Sequence, residues 1–160
     1  MSMSQPTATV LELPTTDMVS IAQCIVIDAD AFPYAGVTFG FRPARAHVWA
    51  ARGDDPPRVL GFVASVTRGR EEYVEALAVE RGFRRRGIGR ALLGAAMAHA
   101  REARLEAVRL HVWVGNRAAV ELYLSTDFVV LRRRPNFYRA GVFAGSDDAY
   151  EMRWRVDGER

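Results

Sequence analysis

Lysine is absent from this 160-residue chain, and all 22 basic residues are arginine. A P-loop is thereby excluded, because that loop requires Gly-Lys-Ser/Thr. Cysteine occurs once, at Cys24, which excludes an internal disulfide and a cysteine-built zinc site. No stretch approaches the ~18 uninterrupted apolar residues of a membrane span. The first residues, MSMSQPTATVLEL, hold neither a basic n-region nor a long apolar run, so they do not read as a secretory signal. A cytoplasmic address is therefore expected, with no membrane partner and no metal. The length suits one domain over residues 1–160, with 1–5 flexible. A content of 49% apolar and 26% charged residues is that of a globular chain.

The charge is unevenly spread. Residues 1–70 hold six arginines and six acids; residues 71–160 hold sixteen arginines and thirteen acids, so the net +3 lies there. Two triplets stand out, Arg84-Arg85-Arg86 and Arg132-Arg133-Arg134. Arginine pairs phosphate and carboxylate through a planar fork, so either triplet suits an anion; a solvated face explains them equally.

Periodicity orders the elements. Thr7 to Leu13 predicts a first strand, and Thr15-Thr16-Asp17 offers N-caps for a helix reaching about Phe32. Strands follow over 46–52, Arg58 to Thr67 and Glu72 to Val79, the last two joined by a hairpin at Arg68-Gly69-Arg70. Ile88 to Ala103 is helical, with Ile88, Leu92, Ala95 and His99 on one face. Ala107 to Val114 alternates: Val108, Leu110, Val112 and Val114 face one way, Arg109, His111 and Trp113 the other. Asn116 caps a helix to about Thr126. Phe128 to Arg133 and Ala149 to Val156 are the last strands. The order β-α-β-β-β-α-β-α-β-β predicts an α/β fold with a mixed sheet.

Arg84-Arg85-Arg86-Gly87-Ile88-Gly89-Arg90 follows a strand and opens a helix. The first turn of a helix has unpartnered N–H groups and the positive end of the dipole. Gly87 and Gly89 remove Cβ atoms, so an anion such as pyrophosphate can approach the backbone. The same residues also suit a helix start with two incidental glycines. The dinucleotide fingerprint Gly-x-Gly-x-x-Gly is unmatched, since Leu92 stands at its last position.

The run from Leu77 through Arg84, Gly87 and Gly89 to Leu93 resembles the acetyl-CoA motif of the GNAT acetyltransferase superfamily, Gln/Arg-x-x-Gly-x-Gly/Ala. Asn116, Ala119, Leu122, Tyr123 and Phe128 resemble its second motif, Asn-x-x-Ala-x-x-Leu-Tyr-x-x-x-Gly-Phe. The resemblance covers about residues 5–156. It departs at Asp127, where the family has a glycine in the left-handed conformation; Asp tolerates that conformation better than most residues.

The resemblance implies a mostly antiparallel sheet of about seven strands flanked by helices, with a splayed central strand pair. It implies acetyl transfer from acetyl-CoA to a primary amine by direct attack in a ternary complex. Backbone groups of Leu77, Ala78 and Val79 then hold the pantetheine arm. Amides and side chains of Arg84, Arg85, Arg86, Gly87, Ile88, Gly89 and Arg90 hold the pyrophosphate. Asn116 hydrogen-bonds the arm. Tyr123 matches the family's general acid: a phenol of pKa ~10 stays protonated at neutral pH and can donate to the leaving sulfur. His111, with a pKa near ~6.5, suits the general base, and Glu75 competes with it; a water or an already neutral amine also fills that role.

Phe32 and Tyr138 lie in the loops that choose the acceptor in this family. Ala31-Phe32-Pro33 and Asn136-Phe137-Tyr138 resemble the branch that acetylates N-terminal alanine on ribosomal proteins. A protein N-terminus is then the acceptor, and a small-molecule amine is the alternative. A second alternative is a non-catalytic acyl-CoA-binding module. Nucleic acid is not an expected partner, because no aromatic-basic ladder accompanies the arginines. A monomer or a homodimer is expected. Cys24, His47, His99, Trp49, Trp113 and Trp154 read as packing residues.

Overall fold

The computed structural model describes residues 8–31, 45–54, 56–138 and 143–158. Seven strands form one sheet: β1 (Thr9–Glu12), β2 (His47–Asp54), β3 (Pro57–Arg68), β4 (Glu71–Val79), β5 (Ala107–Trp113), β6 (Val129–Arg134) and β7 (Ala149–Arg155). Their order is β1-β2-β3-β4-β5-β7-β6. The helices are α1 (Met18–Ala31), α2 (Ile88–Glu102) and α3 (Arg117–Leu124), with a 3-10 turn at Arg81–Phe83. The predicted element order is therefore observed. Phe32, residues 1–5 and Thr7 fall outside the described residues.

β1–β2, β2–β3, β5–β7 and β6–β7 are antiparallel, whereas β4 and β5 are parallel. A parallel pair needs a long crossover, and α2 lies in it. The β4–β5 ladder joins Glu71–Tyr73 to Ala107–Arg109, while β4 runs on to Val79 and β5 to Trp113. That short ladder is the expected splayed pair.

The chain divides into two compact units, residues 1–65 with 76–95, and 66–75 with 96–160. In the first, Ile21, Cys24 and Ile27 of α1 pack with Val48, Ala50, Val59, Phe62, Ala64, Ala76 and Ala78. Cys24 is fully buried, and burial pushes its thiol pKa up to about 12, so it is an inert core group. Asp17 starts α1 by accepting the Ser20 N–H at 3.1 Å, and Arg52 holds its other oxygen at 2.6 Å.

In the second unit Val108, Leu110 and Val112 are buried on one side of β5, as the alternation predicts, with Met152 and Trp154 of β7 and Phe128 also buried. Val114 lies beyond the strand and is half-buried. The buried stripe of α2 is Ile88, Leu92, Leu93, Ala96 and Ala100. The predicted face was misplaced: Ala95 and His99 are half-buried and flank that stripe. Leu93 and Ala96 are one and four positions past Leu92, so the apolar sector is centred further round the helix.

Candidate active site

The anion loop belongs to the first unit. Leu77, Ala78 and Val79 end β4, and Glu80 N–H bonds Leu60 C=O at 2.8 Å. The 3-10 turn follows, and Arg84 Nε returns to donate to Val79 C=O at 2.9 Å. Arg85 and Gly87 both take left-handed conformations, at φ 63 and 80. A Cβ on Gly87 would meet nothing within 4 Å, so glycine serves there for conformation rather than space. Ala91 N–H makes the first helical bond, to Gly87 C=O at 3.0 Å, so the N–H groups of Ile88 and Gly89 precede it. Arg84, Arg85, Arg86 and Arg90 are exposed around this turn, with Arg86 over the Phe83 ring at 5.1 Å. Left-handed turns beside unpartnered amides make a concave anion cradle. The loop thus fits the diphosphate of acetyl-CoA.

The second unit carries the other predicted residues. Asn116 caps α3: its side-chain oxygen accepts the Ala119 N–H at 3.2 Å, which leaves its NH2 group as a donor. Gly115 before it is required by Trp113, since a Cβ would lie 2.4 Å from that ring. Tyr123, one helical face along from Asn116 and Ala119, is buried, 5.8 Å from the Phe128 ring. Burial, with a contribution from Tyr138, raises its phenol pKa above the ordinary value. At the end of α3, Asp127 adopts φ 65, and Phe128 N–H closes on Tyr123 C=O at 3.0 Å. The left-handed cap expected of a glycine is therefore made by Asp127.

Two aromatic side chains, Phe137 and Tyr138, stand beside His111. Tyr138 is buried, with its pKa pushed up to about 12 by that burial, and meets Phe137 edge-on at 5.1 Å. Phe137 stacks flat on His111 at 4.3 Å. The Tyr138 N–H is fixed by Asp147 C=O at 2.9 Å. Next to His111 stands Glu151, its Oε2 3.9 Å from Nε2. Glu151 is a buried carboxylate that accepts from Arg132 Nε at 2.6 Å, Arg109 Nη1 at 2.9 Å and Arg134 Nη1 at 3.4 Å. Burial opposes its charge, yet Arg132, His111 and Arg109 outweigh that and hold its pKa below the ordinary range. His111 itself is pushed below its ordinary pKa, first by burial and then by Arg134, Arg132 and Arg109, against the opposing pull of Glu151. The shift favours the neutral imidazole. Glu75 is held at 3.0 Å by Arg68, an exposed arginine.

Glu151 was not singled out from the sequence, and Phe137 was quoted there only as part of Asn136-Phe137-Tyr138, without a role of its own. The triplet was read as either an anion site or a solvated face. Arg132 and Arg134 turn to Glu151, while Arg133 pairs with Asp148 at 2.7 Å. Leu77, Ala78, Val79 and residues 84–90 belong to one unit; Glu75, His111, Asn116, Tyr123 and Tyr138 belong to the other.

The acetyltransferase (GNAT) family model matches residues 16–128, through both units. The chain belongs to the GNAT acetyltransferase family. GNAT acetyltransferases use acetyl-CoA. This GNAT chain is 34% identical over 107 residues to the N-alpha-acetyltransferase daf-31 of Caenorhabditis elegans, a match covering 62% of the chain and 56% of that protein. It is 34% identical over 108 residues to the catalytic subunit NAA10 of the N-terminal acetyltransferase A complex of Arabidopsis thaliana, covering 64% of the chain and 54% of the relative. It therefore spans about half the length of these curated relatives. Its fold is similar to the ribosomal-protein-S18-alanine N-acetyltransferase of Escherichia coli, with a TM-score of 0.77, 25% identity and 94% coverage of both chains. Among the described residues no helix is long and apolar enough to cross a membrane.

Proposed function

We propose that the chain, acting as one acetyltransferase domain over residues 1–160, transfers the acetyl group of acetyl-CoA to the free N-terminal amine of a protein or peptide, by direct attack in a ternary complex. The observation that carries this reading is His111 stacked on Phe137, which meets Tyr138 edge-on, in the unit that also holds the buried Tyr123. The names of the 34% identical relatives and of the structural neighbour at 25% identity support an N-terminal amine as acceptor. A cytoplasmic address and a monomer or homodimer belong to the same reading.

Acetyl-CoA, when bound, supplies an activated thioester and a thiolate leaving group. The amides of residues 85–90 and the guanidinium groups of Arg84, Arg85, Arg86 and Arg90 take its diphosphate. The family resemblance assigns the arm to backbone groups of Leu77, Ala78 and Val79 and to the NH2 of Asn116. A ring nitrogen of His111, in the neutral imidazole, accepts the proton of the incoming amine. Tyr123 Oη, kept protonated by burial, donates to the sulfur as it leaves. Tyr138 and Phe137 shape the wall along which the acceptor backbone lies, and Phe137 excludes water from one face of His111. Glu75, locked to Arg68, is the lesser candidate for the base.

Mass spectrometry of short peptides incubated with enzyme and acetyl-CoA tests the reading. The expected product carries one acetyl group on the α-amine. Acetyl groups on internal lysine amines only, or none, would contradict it.

A further inference from the structure

We propose that the acceptor carries a carboxylate beside its amine, an acidic residue at the second or third position of the N-terminus, read by Arg132 and Arg134. This rests on the N-terminal acceptor reading above.

The placement of both arginines depends on a bulge. In β6, Val130 faces Met152 and Arg132 faces Glu151, with Leu131 as the extra residue. Met152 is fully buried in the core. Strict alternation would put Arg132 on the same side as Val130, facing that core. The bulge reverses the phase, so Arg132 and Arg134 come to the side that bears His111. Because His111 also faces Glu151, the three residues His111, Glu151 and Arg132 stand in one row across β5, β7 and β6.

Charge is left over in that row. Arg109 is already matched by Glu71 at 3.0 Å. Among the described residues, Glu151 then answers for Arg132 and Arg134, through a single oxygen, Oε2. Among the described ion pairs of this row, three arginines, Arg109, Arg132 and Arg134, face two carboxylates, Glu71 and Glu151. The donors are in excess as well. Arg132 uses Nε and Arg134 uses Nη1, whereas each guanidinium has five N–H groups. The two side chains are 60% and 40% exposed, so the remaining donors reach solvent.

The spacing suits a peptide. His111 Nε2 lies 3.9 Å and Arg132 Nε 2.6 Å from the same oxygen of Glu151. An extended chain advances about 3.3 Å per residue, so with the amine at His111 a side-chain carboxylate on residue two or three is within reach of the arginines. A basic residue there meets the surplus positive charge instead.

The test compares kcat/KM for peptides identical except at positions two and three, carrying Glu-Glu, Gln-Gln or Lys-Lys after an N-terminal alanine, with free glutamate as a fourth acceptor. The Glu peptide is expected to exceed the Lys peptide by about tenfold at low salt, the scale of two part-exposed charge contacts, and the ratio to shrink as salt rises. Arg132→Glu with Arg134→Glu is expected to reverse the order. Because those substitutions also disturb Glu151, the salt series on the unmodified protein stands independently. Equal rates for the three peptides, or a faster Lys peptide, overturn the proposal and leave N-terminal transfer standing. Reaction with free glutamate alone keeps the carboxylate contact and overturns the peptide acceptor. No reaction with any of them overturns both.

Discussion

Replacing Glu151 by glutamine removes one charge from a buried position and keeps its shape. The carboxylate gathers Arg109, Arg132 and Arg134, whose side chains are 23%, 60% and 40% exposed, while its own is 5% exposed. Breaking a fully buried ion pair costs about 3–5 kcal/mol. Here solvent screens Arg132 and Arg134, and Arg109 keeps Glu71, so the expected loss is about 2 kcal/mol. For a chain of this size that is a fall in Tm of about 4–8 °C. The dependence on pH follows from the lowered pKa of Glu151. Its contribution is present above the unfolded value, ~4.3, and is lost as pH falls through the lower folded value. Urea unfolding of both proteins at pH 7 and below pH 4 measures the difference. The reasoning fails if the variant lies within about 0.5 kcal/mol of the parent at pH 7, the range of an unremarkable surface change. It fails equally if the gap persists unchanged into acid.

Further outcomes follow from the same site. Tyr123→Phe should lower kcat by about 100-fold, in the range of one general acid, with little change in KM for acetyl-CoA; unchanged turnover removes Tyr123 from proton donation. The acidic limb of the rate profile should lie below the ordinary histidine value of ~6.5, since His111 acts unprotonated and its pKa is lowered. Glu151→Gln should move that limb to still lower pH and Arg134→Gln to higher pH, and His111→Ala should abolish it; a limb that survives in His111→Ala transfers the base to Glu75. Asp127→Ala should destabilise the protein by about 1 kcal/mol, the penalty for a left-handed residue, whereas Asp127→Gly should not; equal melting of the two denies the strained cap.

Much of this was legible in the residues. Local rules sufficed where the chemistry is local: the alternation of residues 107–113 placed His111 opposite the core side of β5, Asn116 read as a cap and is one, and Asp127 took over the left-handed turn. The anion loop was legible because its glycines and its helix start are consecutive. Glu151 was not, because its partners lie 17 to 42 residues away and only the β5–β7–β6 pairing brings them together. The partners of the arginine triplet were not legible because alternation is a period-two rule and the bulge at Leu131 adds a residue to it. Without that extra residue in view, three neighbouring arginines look like one patch; in the fold they serve two different acids. The stacking of Phe137 on His111 is likewise a contact between a loop and a strand, which no spacing in the sequence records.

The central claim is that this site acetylates a free N-terminal amine. Thiol release from acetyl-CoA, followed across peptides with free N-termini, polyamines, aminoglycosides and amino acids, tests it most directly. The account predicts release with the peptides and none once their N-termini are blocked. Release with a small amine alone, or a chain that binds acetyl-CoA and acetylates nothing in that set, would contradict it.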